Sequence, residues 1–324
     1  MHRPSSHQCS SQPEGEAVVQ AQALMASLPW PAETRIDVLY VDQFLEADLD
    51  RSGHRPSGIR APLSADVEKH LAAARSALTR PGRAVWTHVV IGRPASAIAD
   101  TARRVSADLV VVGSHGHGRF ASALLGSVGA EVVDTAPCPV LVARSSRIRE
   151  IVLAHDGSDG SRQAEDLVAS WSFLRSLRTQ VISVAPTLTS WYAFGASEAP
   201  LDAGVYQQIL DDARAEHQRI ASEATTRLVA QGVAALVDRR DGDTVRGIVD
   251  VAVDHQADLI VIGSRGRTGL LRFVLGSVAR GVLFGAPCSV LIVRQRVAVD
   301  HDVVQPTHDV VRDRLVNDSP GKSR

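Results

Sequence analysis

The chain has 324 residues, 44% of them apolar, which suits two cores of ordinary size better than one. Its 35 basic and 36 acidic residues leave a net charge of −1, which excludes the basic footprint of a nucleic-acid binder and a polybasic membrane patch. No apolar run approaches the roughly 20 residues that cross a bilayer, and the polar opening stretch lacks the apolar centre of a secretory signal.

Residues 1–13, rich in Ser, Gln, His and Pro, read as a disordered terminus. Residues 14–28, EGEAVVQAQALMASL, are Ala-rich and helical, and Pro29 and Pro31 stop the helix. A strand is expected at 35–41, RIDVLYV, then a polar loop over 42–62. A helix over 65–79 behind Ser64, a strand at 83–91, a helix over 94–106 and a strand at 108–113 follow. That strand runs into a glycine-marked stretch, 108–144, DLVVVGSHGHGRFASALLGSVGAEVVDTAPCPVLVAR.

The second half opens on a strand, 150–155, EIVLAH, and a turn, Asp156-Gly157-Ser158. Ser158 or Asp159 caps a helix that runs to about Leu177. A strand at 179–185 leads to a loop, 186–202, carrying Trp191, Tyr192 and Phe194. A long helix over 204–231, a strand at 233–240 and a helix over 243–256 precede the second glycine stretch, 258–294, DLIVIGSRGRTGLLRFVLGSVARGVLFGAPCSVLIVR. Five strands alternating with four helices give an α/β doubly wound sheet. The tail, 297–324, reads as flexible, with one candidate helix at Val310 to Val316.

The two glycine stretches are copies. Gly113 falls on Gly263 at an offset of 150 (263 − 113), and Gly116, Gly126, Ser127, Cys138 and Arg144 fall on Gly266, Gly276, Ser277, Cys288 and Arg294 at the same offset. A repeat of this length makes each copy a domain, here 14–146 and 147–296. The copies differ at their start. Near the front of the chain the offset shrinks to 143 (178 − 35), and the opening strand 150–155 then falls on polar residues while Asp156 falls on Pro13. The first half thus lacks its opening strand. The favoured reading is a start that lies upstream; the other is a degenerate half with a four-stranded sheet of its own.

Gly263, Gly266 and Gly276, with Ser277 at the head of a helix, read as a phosphate cradle. Bare backbone lets N–H groups reach an anion, and the helix start adds its dipole. Arg265 and Arg267 neutralise phosphate charge; their counterparts are His115 and His117, too few for a metal site. No Gly-Lys-Ser/Thr is present, so no lysine is poised for fast phosphoryl transfer. Asp156 ends a strand at the carboxyl edge of its sheet, where such folds bind ligands. Cys9, Cys138 and Cys288 form no CxxC pair, which suggests a reduced, cytoplasmic setting; Cys138 and Cys288 read as small core residues.

Gly-x2-Gly-x9-Gly-Ser after a strand, followed by an Ala-Pro-Cys turn into a closing strand, resembles the universal stress protein family, over roughly residues 14–294. The resemblance implies two Rossmann-like domains with five-stranded parallel sheets, packed through their last strands as an internal pseudo-dimer, with homodimerisation also open. It implies a stress-response protein that binds ATP, with AMP and ADP as related ligands and Mg²⁺ accompanying them. Asp156 would face the adenosine and approach the metal; Ala154 and Val184 would flank the base, as would Val41 in the first half. Val278, and Gly113, Gly116, His117, Gly126, Ser127 and Val128 in the first half, complete the implied contacts. Regulation of a protein partner by nucleotide occupancy is the leading reading. A slow ATPase or self-phosphorylating enzyme, with no evident general base, and a nucleotide-free scaffold, chiefly the first half, are the alternatives.

Overall fold

A computed structural model describes residues 16–42, 65–114, 125–185, 187, 203–266, 275–294 and 310–314. In the first half these are α1 (Glu16–Ser27), β1 (Arg35–Asp42), α2 (Ala65–Leu78), β2 (Ala84–Ile91), α3 (Pro94–Arg104), β3 (Val110–Gly113), α4 (Ser127–Thr135) and β4 (Val140–Ala143). In the second they are β5 (Glu150–Ala154), α5 (Asp159–Ser170), α6 (Ser172–Arg175), β6 (Arg178–Ala185), α7 (Ala203–Ala230), β7 (Ala234–Asp241), α8 (Thr244–Asp254), β8 (Leu259–Gly263), α9 (Ser277–Gly285) and β9 (Ser289–Val293). A last strand, β10, covers Val310–Arg314.

The second half folds as its residues dictate. β5, EIVLA, is apolar on both faces after Glu150 and buried throughout, so it takes the centre. It pairs in parallel with β6 on one side and β8 on the other. With β7 beyond β6 and β9 beyond β8, the half is a five-stranded parallel sheet. Side-chain alternation divides its core. Val152, Ala154, Ile260 and Ile262 face α8 and α9, whereas Ile151, Leu153, Leu259 and Val261 face α5 and α7. Ser158 caps α5 by accepting from Ser161 N, and Asp243 caps α8 by accepting from Arg246 N. The helix expected to reach Leu177 breaks at Trp171, whose extended backbone ends α5 and starts α6. Its ring packs on Phe173, as does Trp30 of the first half.

The first half is divided between two sheets. β3 and β4 pair in parallel, and β4 pairs antiparallel with β9, extending the second half's sheet to seven strands. β1 and β2 pair in parallel in a separate three-stranded sheet with β10. The physical reason is the opening strand. β5 is what joins β6 to β8; among the described residues nothing plays that part between β1 and β3, so the expected four-stranded sheet is cut in two. At the tail, Val310–Arg314 is a strand rather than a helix, because pairing with β2 satisfies backbone groups along an otherwise open edge.

Reciprocal arginines lock the joint between the halves. Arg144 donates to the carbonyls of Leu283, in the last turn of α9, and Cys288, just beyond that helix (2.6 and 3.1 Å). Arg294 donates to the carbonyls of Val133, Asp134 and Ala136, at the end of α4. Each guanidinium thus caps the carboxyl end of the other half's helix, where a cation is favoured. Arg280 and Asp134 add an ion pair across the joint at 3.0 Å.

Candidate functional site

The site forms where β5 and β8 end side by side. Asp156 stands just past β5, and its Oδ1 accepts from Ser158 N and Ser158 Oγ, which fixes the carboxyl's direction. β8 ends in Gly263, set so tightly against the first turn of α5 that an added Cβ would lie 2.5 Å from Gly160 C. Gly160 in turn leaves no room for a Cβ beside the Arg265 carbonyl. The chain then bends over Asp156: a Cβ on Gly266 would lie 2.6 Å from Asp156 Oδ2. Bare backbone on both sides is what allows this approach.

Gly276 closes the turn by donating its N–H to the Ser264 carbonyl at 2.9 Å. This bond sets the start of α9, Ser277 and Val278, beside the turn. Gly276 has no side chain to cap the helix, so the first-turn N–H groups are left for whatever lies at the helix head. Backbone donors, a helix start and Arg265 on one side, with one carboxylate opposite, match a ligand having an anionic end and a hydroxyl-bearing or metal-bound end. Among the described residues no group of three His, Cys, Asp or Glu is placed to hold a metal.

The other expected residues sort clearly. Ala154 ends β5, and Val184 lies near the end of β6 with its side chain packed on α8 at Gly247, leaving only its backbone for a ligand. In the first half, Gly126 N donates to the Ser114 carbonyl at 2.8 Å, repeating the Gly276 bond, and Gly126 likewise heads α4 without a side-chain cap. Gly113, Gly126, Ser127 and Val128 thus come together as a second half-cradle. Val41 lies near the end of β1, in the separate three-stranded sheet. Gly116, His117, His115, Arg267 and most of the loop 186–202 lie outside the described residues.

Behind Asp156 sits a charged cluster that sequence reading missed. Glu165, 2% exposed, takes a fork of hydrogen bonds from Arg227 Nε and Nη2 at 2.7 and 2.8 Å. His155 Nδ1 accepts from Gly157 N, which leaves Nε2 to face Glu165 at 3.1 Å. Burial opposes ionisation of Glu165, but the hydrogen bonds from Arg227 and the approach of His155 outweigh it and hold the carboxyl at about 2. No local pattern ties residues 155, 165 and 227, so only the packed helices could reveal the cluster. Gly160 was missed for the same reason. A cavity of about 90 Å³ opens beside His155 and Asp156, lined by Arg162, Glu216, Arg219 and Glu223. It is too small for a nucleotide, and its charges are balanced.

The fold has counterparts among known proteins. The model of the Universal stress protein family matches residues 10–144 and again 147–294. The chain belongs to the universal stress protein family. Universal stress protein Rv2005c of Mycobacterium tuberculosis is 32% identical over 202 residues, which cover 58% of this chain and 62% of that relative. The chain therefore spans less than two thirds of that relative's length. Universal stress protein Rv2624c of the same organism is 30% identical over 243 residues, covering 71% of this chain and 78% of the relative. The crystal structure of a universal stress protein from Archaeoglobus fulgidus shares the fold, with a TM-score of 0.55 at 17% identity over 86% of this chain and 95% of that one. Tandem family domains are thus the architecture of this chain. Among the described residues no helix is long and apolar enough to cross a membrane.

Proposed function

We propose that the second half of this universal stress protein binds ATP or a related adenine nucleotide and that occupancy regulates contacts with a protein partner. The phosphates take the backbone donors of Gly263–Gly266 and the head of α9 at Ser277 and Val278, with Arg265 neutralising charge. Asp156 accepts from the ribose or holds Mg²⁺ on the phosphates, and the backbones of Ala154 and Val184 flank the base. The observation that carries this reading is the contact of Gly266 with Asp156, where a Cβ would lie 2.6 Å from Oδ2. A turn stripped of side chains against one carboxylate, beside an uncapped helix head, has the form of an anion cradle. The reading is binding rather than turnover.

The first half is read as a scaffold. Its half-cradle has no counterpart of Asp156 among the described residues, and its β4 serves the joint with β9. Titration calorimetry with ATP and Mg²⁺ is expected to give one nucleotide per chain. Gly266→Ala with Gly276→Ala is expected to abolish the nucleotide's protection against thermal unfolding. Protection undiminished in that double variant removes the proposal, and two sites per chain removes the scaffold reading.

A further inference from the structure

β4 and β9 pair antiparallel, with Val140 opposite Ile292, so the start of β4 lies at the end of β9. α4 leads into β4 and brings its carboxyl end to that same place. The second-half cradle begins there too. Gly263 pairs with Val293, and Ser264 N donates to the Val293 carbonyl at 2.7 Å. The joint thus sets the carboxyl end of a first-half helix beside the turn read as an anion cradle.

That placement alone would repel an anion. The carboxyl end of a helix carries the negative pole of its dipole and carbonyls without helical partners. Asp134, in the last turn of α4, adds a carboxylate.

Arg294, the residue after Val293, reverses the sign. Its guanidinium donates to the carbonyls of Val133, Asp134 and Ala136. These acceptors are uncharged groups, so the bonds fix the guanidinium in place without cancelling its charge. The Asp134 carboxylate is itself held by Arg280 Nη2, 3.0 Å from both oxygens, and Arg280 lies in the first turn of α9, at the cradle's head. Burial lowers the pKa of Arg294 against the pull of Asp134, and the charge of Arg265 acts in the same direction as burial. Arg265 and Arg294 are therefore near enough to repel each other in the free chain, and an anion in the turn relieves both.

Arg144 gives the contrast. It makes the reciprocal contacts, but at the other end of α9, on the carbonyls of Leu283 and Cys288. α9 has nine residues, so its head lies about 13 Å from that end. At that distance a charge is largely screened at physiological salt, where the screening length is about 8 Å.

We propose that Arg294 is a specificity-determining residue of the second-half cradle: fixed on the carboxyl end of α4, it presents a positive charge that favours ligands with more phosphate groups. The first half thereby takes part in binding at the second. The inference rests on the nucleotide reading above and adds how the cradle ranks its ligands.

Titration calorimetry of the full chain with AMP, ADP and ATP, at low salt and without Mg²⁺, tests it. The wild-type chain is expected to bind more tightly from AMP to ATP. Arg294→Gln should shrink the preference for ATP over AMP at least about fivefold. Arg144→Gln, which removes the matching arginine of the joint, should leave that preference within about twofold. Because Arg294→Gln also disturbs the joint, Asp134→Asn is the second arm. It removes a half-buried carboxylate beside Arg294 and should increase the preference for ATP. Equal weakening of AMP and ATP by Arg294→Gln, or an unchanged preference in Asp134→Asn, would make Arg294 a structural residue only and overturn this inference while the nucleotide reading stands. A wild-type chain that binds none of the three nucleotides removes both.

Discussion

Glu165 shows how a single residue ties the frame to the site. Its carboxyl, held at about 2 against an ordinary 4.5, is ionised in the folded chain and harder to ionise once the chain unfolds. The stability this contributes is complete above about pH 4.5 and is lost as pH falls from there through about 2. Glu165→Gln is expected to lower stability at pH 7 by about 2 kcal/mol, through loss of the charged hydrogen bonds from Arg227. Because Gln cannot titrate, the gap between the two proteins should narrow towards pH 2.5. Urea unfolding at pH 7 and pH 3 measures both; a gap that is the same at the two pH values would refute the assignment. His155 adjoins Asp156, so the cluster also sets where β5 ends and where the candidate ligand carboxylate stands.

Among elements, the joint of β4 and β9 has three ladder pairs, and two half-buried arginines reinforce it. Arg294 satisfies the carbonyl groups of Val133, Asp134 and Ala136 at the end of α4. Arg294→Ala is expected to cost about 3 kcal/mol in urea unfolding, by leaving those acceptors buried and unpaired. Arg294→Lys should recover little, because an ammonium on a flexible stem cannot fork across three carbonyls. Full recovery by lysine would mean that charge alone holds the helix end. The reciprocal contacts of Arg144 predict a similar loss on the other side of the joint. The strands of the glycine stretches were legible as short apolar runs, and the glycine turns from spacing. The break at Trp171 and the strand at Val310–Arg314 were not, because both follow from what packs beside them.

At the scale of the molecule, the chain is built around the seven-stranded sheet, with β1 and β2 attached through helices and not through a ladder to β3. Native-state hydrogen exchange should therefore resolve two units. Amides of β5, β8 and β9 are expected to open only with global unfolding, whereas those joining β1 to β2 should open at a free energy lower by about 2 kcal/mol or more. A single common opening energy would show that the helices α1, α2 and α3 couple the two sheets as tightly as a strand would. The same asymmetry underlies the expectation of one nucleotide per chain: among the described residues, it is the second half that shows a central strand with an aspartate at its end.

By itself the sequence determined the duplication, the family, the α/β alternation and the glycine spacing of both turns, because each is written in local residue types at fixed separations. It also showed that the first half departs from the pattern at its beginning. Only the tertiary structure decided the consequence, since ladder partners are chosen by which edges meet. β3 and β4 joined the sheet of the second half, β1 and β2 formed another, and Glu165 met His155 and Arg227 across three elements that share no sequence spacing.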